Sequence, residues 1–284
     1  MASKALPRAM VFADGSRPEL RSAAERLRPT IERYLAVVGE SLDFAEPLKT
    51  VEFDLAIVLG GDGSILRAAH LMGYDQRPVL GINLGRLGFL AALQPEQLEQ
   101  ALPQLASGDH QVISHLMVEC TATRRGKVIY QSLGLNEASV LAGPPFAMVD
   151  IELYVDGELV TTYSCDGLIV STPVGSTAHC LSAGGPILRN DIQALVILPI
   201  SPHTLTLRPV VDSADRVIEL VVPEPHAGTS LVVDGRVLGK LEAGDRIRIV
   251  RSKAYFKMVT VCGQSYYRTL HDKLGWGGQL RLKK

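Results

Sequence analysis

The chain has 284 residues, 46% of them apolar and 21% charged, with 29 Lys and Arg against 30 Asp and Glu. That apolar share supplies real cores and excludes a disordered chain, and the length allows one large domain or two modest ones. Balanced charge leaves no nucleic-acid footprint and no polybasic membrane surface.

Residues 17–38 place Leu20, Ala24, Leu27, Ile31, Leu35 and Val38 at helical spacing, with Arg and Glu between them. This predicts an amphipathic helix covering a sheet. Leu55 to Leu59 is an uninterrupted apolar run ending at Gly60-Gly61, which suits a parallel strand buried on both faces. Residues 64–72 read as a helix with Ser64 as N-cap. "PVLGIN" at 78–83 reads as the next buried strand, "LGRLGFL" turns away, and Pro95 to Leu105 reads as a helix bent at Pro103.

After about residue 110 alternation replaces the helical period. "IELYVDGELVTTY" carries Ile151, Leu153 and Val155 on one face and turns at Asp156-Gly157; "SLVVDGRVLGKL" repeats the device at Asp234-Gly235. Asp-Gly between alternating runs is a strong hairpin signal. "RVIELVVPEP" and "DRIRIVRS" add strands, and residues 200–209 read as loop. The second part is therefore a β-rich sandwich or barrel. The tail "TLHDKLGWGGQLRLKK" is short and amphipathic.

No apolar stretch reaches the ~20 residues a bilayer span needs. The opening "MASKALPRAMVFADG" has too short an apolar run for a secretory signal. Cys120, Cys165, Cys180 and Cys262 form no C-x-x-C, and the seven histidines include no H-x-x-x-H pair. A reducing cytoplasm without disulfides or structural metal is the expectation.

Three stretches carry chemistry. In "GGDGS" a strand delivers the chain to a glycine turn where backbone approaches a ligand closely, and the following helix N-terminus favours phosphate oxygens. It is neither the Walker pattern nor G-x-G-x-x-G. A lone Asp62 beside a phosphate cradle has two chemical uses open to it. It could accept a proton from an attacking hydroxyl, or hold a divalent cation. The alternative is a turn aspartate bonding its own backbone. In "DGLIVSTPVGSTAHCLSAGGPI", residues 166–187, Ser171, Thr172, Ser176, Thr177 and Ser182 crowd hydroxyls together, and N–H groups of Gly175 to Ala178 suit phosphate or ribose. The alternative is a polar loop with a short capped helix. In "LNEASV", Asn136 has donor and acceptor for a base or amide, and Glu137 has acceptors for ribose hydroxyls; the alternative is a solvated turn.

Together, "GGDGS" at 60–64, "GINLGRLGFL" at 81–90, "NEASV" at 136–140, the 166–187 block and "PISPHTLTLRPVV" at 199–211 resemble the NAD kinase family in residues, order and spacing. The tail "HDKLGWG" is similar to that family's ending. The resemblance implies an α/β N-terminal domain and an all-β C-terminal domain of stacked sheets, with the tail returning to the first. The expected boundaries are 1–108 completed by 265–284, and 109–264.

The reaction it implies is phosphorylation of the adenosine ribose 2′-hydroxyl of NAD, with ATP or another phosphoryl donor, Mg²⁺ or Mn²⁺, and a homodimer or homotetramer. Asp62 falls on the family's catalytic aspartate. Gly61, Gly63, Arg67, Phe89, Asn136, Glu137, Asp166, Thr177, Ala178, His179, Ser182 and Arg236 fall on or beside its binding positions. His179 stands where the family usually has Tyr, Val174 where Thr or Ser is frequent, and Ser164 where many members carry Lys or Arg. The rival functions are a lipid or sugar kinase sharing the Gly-Gly-Asp-Gly turn, and an NADP-binding regulatory module without catalysis.

Overall fold

A computed structural model describes residues 5–44, 51–85, 88–91, 93–204, 206–261 and 266–275. It divides into two units, residues 1–114 with 257–284, and residues 115–256.

In the first unit β1 (Arg8–Ala13), β2 (Ala36–Ser41), β3 (Leu55–Leu59) and β4 (Val79–Ile82) form a parallel sheet in the order β2-β1-β3-β4. Every residue of β3 and β4 is buried, as strands covered on both faces should be. Helix α1 (Pro18–Glu32) buries Leu20, Ala23, Ala24, Leu27 and Ile31. Helices α2 (Asp62–Met72) and α3 (Leu98–Ser107) follow, the latter entered by a 3₁₀ turn at Pro95–Gln97. The strand order reverses between β1 and β3. The chain therefore leaves their carboxyl ends toward opposite sides, the place where parallel α/β sheets bind ligands. Asp14 follows β1 there, and Gly60, Gly61 and Asp62 follow β3.

The second unit begins within β5 (Gln111–Arg124). Next come β6 (Lys127–Gly134), β7 (Glu137–Leu141), β8 (Val149–Val155), β9 (Glu158–Cys165), β10 (Gly167–Ser171), the four-residue helix α4 (His179–Ser182) and β11 (Ala194–Ile200). After them run β12 (Val210–Ser213), β13 (Ile218–Val221), β14 (Ser230–Val233), β15 (Arg236–Lys240) and β16 (Arg246–Thr260). One antiparallel sheet has the order β12-β11-β10-β7-β14-β15. In the other, β16 pairs with β5 and β13, β13 with β8, and β8 with β9. Ile151, Leu153, Leu220 and Ile247 of the second meet Leu168, Val170, Leu195 and Leu231 of the first in one core, so the two sheets form a sandwich.

The last residues of β16 belong to the first unit, where Met258 pairs in parallel with Val79, and α5 (Tyr266–Leu274) belongs there too. The fold is thus an N-terminal α/β domain and a C-terminal β domain, with the chain's end returning to the first. No helix among the described residues is long and apolar enough to cross a membrane.

Three sequence expectations change. The first helix ends at Glu32; Leu35 lies past it and Val38 sits in β2, 39% exposed. "AVVGES", with its two adjacent valines, pairs beside β1 instead of continuing the helix. The second helix begins at Asp62, with Gly61 as N-cap and no side-chain cap, two residues before the expected Ser64. The third runs on to Ser107, carries Pro103 inside it and stops at Gly108, whose φ of 84° is the left-handed cap. Both Asp-Gly turns form as read: Asp156 and Gly157 have φ of 52° and 85°, Asp234 and Gly235 of 48° and 75°.

Candidate active site

The first unit offers Asp62. Its carboxylate does not bond its own turn. Phe89 N–H donates to Oδ2 at 2.8 Å, and Leu90 and Ala91 N–H donate to Oδ1 at 3.0 Å each. Thus the glycine turn after β3 and the loop after β4 are clamped by one charge-assisted knot. Gly88 is required by it, because a Cβ at 88 would overlap Asp62 Oδ1. Gly60 is required too, by a φ of 145° and by Ser64 Oγ.

Gly61 and Gly63 are different. Among the described residues a Cβ on either meets nothing within 4 Å, and neither has a positive φ. Neither the described packing nor the conformation demands glycine there, and bare backbone at such a turn lets a ligand come close. The N–H groups of Asp62 and Gly63 open α2, and the helix itself gives them no acceptor. They suit an anion.

Arg67 lies one turn along α2. Its Nη1 is 2.6 Å from Asp14 Oδ2, and its guanidinium lies 4.9 Å from the centroid of the Phe44 ring. The Ser16 hydroxyl first, and Arg67 with it, hold the Asp14 carboxyl below its ordinary range. Phe89 carries Lys273 Nζ of α5 over its ring at 5.4 Å.

The second unit brings "NEASV" and the 166–187 block together. Glu137 opens β7 and Ser171 closes β10, side by side in register. Thr172 N–H donates to the Asn136 carbonyl at 2.8 Å, its Oγ1 donates to the Leu135 carbonyl at 2.6 Å, and Gly175 N–H donates back to that Oγ1 at 3.1 Å. A Cβ on Gly175 would overlap the Asn136 carbonyl oxygen. The hydroxyls read as ligand contacts are therefore mostly spent inside the turn. Ser171 and Thr172 are fully buried, Ser176 Oγ donates to the Pro173 carbonyl at 2.6 Å, and Thr177 Oγ1 to that of Val174 at 2.9 Å. Ser182 and His179 are exposed, and Thr177 and Ala178 half-buried, along the 3₁₀ turn (Gly175–Thr177) and α4.

Asn136 and Glu137 are 9% and 5% exposed, so neither is a solvated turn residue. Glu137 Oε2 is buried with no partner among the described residues. Burial, and then the Asp234 charge, push its carboxyl up to about 8. Asp234 is a residue sequence reasoning read only as a turn former. Its carboxylate accepts N–H bonds from Leu135, Asn136 and Glu137 at 2.7, 2.7 and 3.0 Å. Arg236 opens β15 two residues on, exposed.

Asp166 is not brought to this cluster. Gly167 pairs with Leu141 and Ser171 with Glu137, so Asp166 lies beyond the opposite end of β10. Five residues of strand put it roughly 17 Å from Ser171. Ala142 N–H bonds its carbonyl, and its own N–H bonds that of Ile200. Ser164 and His203 lie at the same end, joined by a bond from His203 N–H to the Ser164 carbonyl.

Among the described residues no three His, Cys, Asp or Glu side chains gather as a metal-ligand set. Arg86, Leu87 and Cys262 lie outside those residues.

Residues 7–110 match the ATP-NAD kinase N-terminal domain, and residues 135–261 the ATP-NAD kinase C-terminal domain. The NAD kinase of Rhodopirellula baltica is 56% identical over 278 residues, covering 98% of this chain and 89% of that one. The solved NAD kinase from Archaeoglobus fulgidus, in complex with ATP, superposes with a TM-score of 0.75 at 29% identity, covering 94% of this chain and 98% of that one. Yeast NADH kinase complexed with NADH shares the fold, with a TM-score of 0.88 at 24% identity, covering 99% of this chain and 91% of that one.

Proposed function

This chain belongs to the NAD kinase family and phosphorylates NAD to NADP, and from that premise we propose that Asp62 orients the adenosine 2′-hydroxyl and takes its proton. The observation that carries this reading is the knot around its carboxylate. An ionised carboxylate has about four lone-pair sites on its two oxygens. Leu90 and Ala91 fill Oδ1, and Phe89 takes one site of Oδ2. Among the described residues one acceptor site is left, on Oδ2, aimed by three main-chain donors. That is the form a positioned base should have.

A ribose hydroxyl is a poor acid, so deprotonation before attack is uphill. Phosphoryl transfer has a loose transition state, and the proton leaves late. Asp62 therefore acts first by orientation and then by accepting the proton at Oδ2. Such help is worth roughly 10²–10⁴ in rate, and positioning of both substrates supplies the remainder. The open faces of Gly61 and Gly63 and the N-terminus of α2 suit phosphate oxygens, with Arg67 as a nearby cation. Asn136, Glu137, Thr177, Ala178, His179, Ser182 and Arg236 are proposed to bind the dinucleotide, and Phe89 is proposed as a further nucleotide-binding residue.

ATP is proposed as the donor, supported by the ATP complex of the Archaeoglobus fulgidus relative. A divalent cation is proposed to arrive on the triphosphate. The described residues build no ligand cage for it, and Mg²⁺ needs few protein ligands when phosphates supply them. The buried free Cys120, Cys165 and Cys180 support a cytoplasmic home.

We also propose a homo-oligomer in which Asp166 serves the site of a second copy. The distance along β10 supports this, since one dinucleotide pocket at Asn136 and Glu137 leaves Asp166 of the same sheet at the far end.

Mixing the purified protein with NAD, ATP and Mg²⁺ tests the reading, with product phosphate located by NMR. NADP phosphorylated at the adenosine 2′ position is expected. NAD binding without turnover would instead favour a regulatory module, and phosphorylation of a lipid or sugar would favour the other kinases.

A further inference from the structure

We propose that Asp234 is a positioning residue for NAD: through its carboxylate it fixes the main chain of residues 135–137 and so presents Asn136 and Glu137 to the dinucleotide. The proposal rests on the reading that those two residues line the NAD pocket.

A primed hairpin turn asks its first residue only to tolerate a positive φ. The other Asp-Gly turn offers a comparison. Asp156 accepts one main-chain bond, from Val217 N–H at 2.9 Å, pairs with Arg216 at 2.7 Å on the approach to β13, and donates its own N–H to the Val217 carbonyl at 2.9 Å. Asp234 has the same turn, but its carboxylate holds three main-chain donors rather than one. Three consecutive N–H groups, from residues 97 to 99 positions earlier, converge on its two oxygens. Asp234 N–H donates in turn to the Glu137 carbonyl at 3.0 Å. The chain at 135–137 is thereby curled into a nest around one anion. This is the arrangement by which Asp62 holds residues 89–91, repeated in the other unit.

The contact has a chemical consequence for Glu137. Its carboxyl is buried, one oxygen lacks a partner among the described residues, and the groups that face it are Asp234 from the β14–β15 turn and Cys180 from α4, whose thiol burial pushes up to about 11. With burial first and the Asp234 charge second raising Glu137 to about 8, its carboxyl is protonated at neutral pH. It then has an O–H to give, and suits an acceptor oxygen of NAD. Above that pH a second negative charge would face an anionic dinucleotide.

The test compares Asp234→Asn with Asp156→Asn. Asn-Gly suits a primed turn at least as well as Asp-Gly, so both hairpins should persist. Asp234→Asn should raise KM for NAD about tenfold or more, the effect of losing bonds to a charged acceptor, while KM for ATP and kcat change little. Asp156→Asn should leave all three unchanged. The second readout is NAD affinity by calorimetry from about pH 6.5 to 9.5, a window that brackets the raised Glu137 carboxyl. Affinity should fall above about pH 8 in the unmodified protein, and the fall should begin at lower pH in Asp234→Asn, where the like charge is gone. A KM for NAD unchanged in Asp234→Asn, or raised equally in Asp156→Asn, would overturn the proposal. So would a flat affinity profile in the unmodified protein, a measurement that stands even if Asp234→Asn does not fold. Asn136→Ala tells the two failures apart. If it too binds NAD normally, the pocket reading is wrong; if it alone weakens NAD, the pocket stands and only the positioning role of Asp234 is lost.

Discussion

At Gly61 and Gly63 a methyl group would meet none of the described residues, whereas at Gly88 it would overlap the Asp62 carboxylate. The three glycines therefore separate binding from folding. Gly63 lies in the first turn of α2, where Ala in place of Gly gains up to about 1 kcal/mol. Gly63→Ala should melt no lower than the unmodified protein and yet form NADP more slowly. Gly88→Ala should instead lose about 1–3 kcal/mol, as overpacking does. Calorimetric melting with a turnover assay reads both, and equal loss of stability in the two variants would reject the distinction. Glu137 makes a second prediction. Its carboxyl is raised from an ordinary value of 4.5 to about 8 in the fold, so the folded state binds the proton more tightly than the unfolded chain does. Its contribution is fully favourable below about pH 4.5, declines as pH rises through that window, and is lost above about 8. Glu137→Gln cannot ionise and should melt less sensitively to pH between those limits, with its largest advantage near pH 8. Identical melting profiles for the two proteins would contradict the assignment.

Thr172 ties two elements at once, with its hydroxyl between the Leu135 carbonyl and the Gly175 N–H at the end of β10. Thr172→Val keeps the branched shape and removes both bonds. It should cost about 1–3 kcal/mol in denaturant unfolding, because buried polar groups are left unpaired. A loss within error would mean the turn is held by packing alone. Elements built from local pattern were the readable ones. Leu55 to Leu59 is a buried run that became β3, and both Asp-Gly turns became hairpins. Elements set by tertiary pairing were not. "AVVGES" continues a helical pattern in the sequence, but β1 offers it a partner edge. The start of α2 was hidden because Asp62 turns its carboxylate away from its own helix end, toward a loop 27 to 29 residues on. In the same way Thr172 and Ser176 look like ligand hydroxyls in one dimension and are internal braces in three. Asp234 carried no sequence mark beyond its turn, since its partners lie nearly a hundred residues away.

In the whole molecule, the chemistry-bearing residues of the six-stranded sheet are divided between its two ends. Glu137 opens β7 with Asn136 just before it, and Asp166 precedes β10 at the other end. If Asp166 serves a second copy, two dead variants should help each other. Mixing Asp62→Asn with Asp166→Ala, after dissociation and reassembly, should restore up to about a quarter of unmodified activity, since half the dimers are mixed and each mixed dimer has one intact site. No restoration would place Asp166 in its own chain's site or outside the reaction. The central claim remains Asp62 Oδ2 as the acceptor of the proton, and Asp62→Asn examines it most directly, with NAD affinity and melting followed beside turnover. Turnover should fall about a hundredfold or more while NAD still binds and the protein still folds. Near-normal turnover in that variant would show that another group takes the proton.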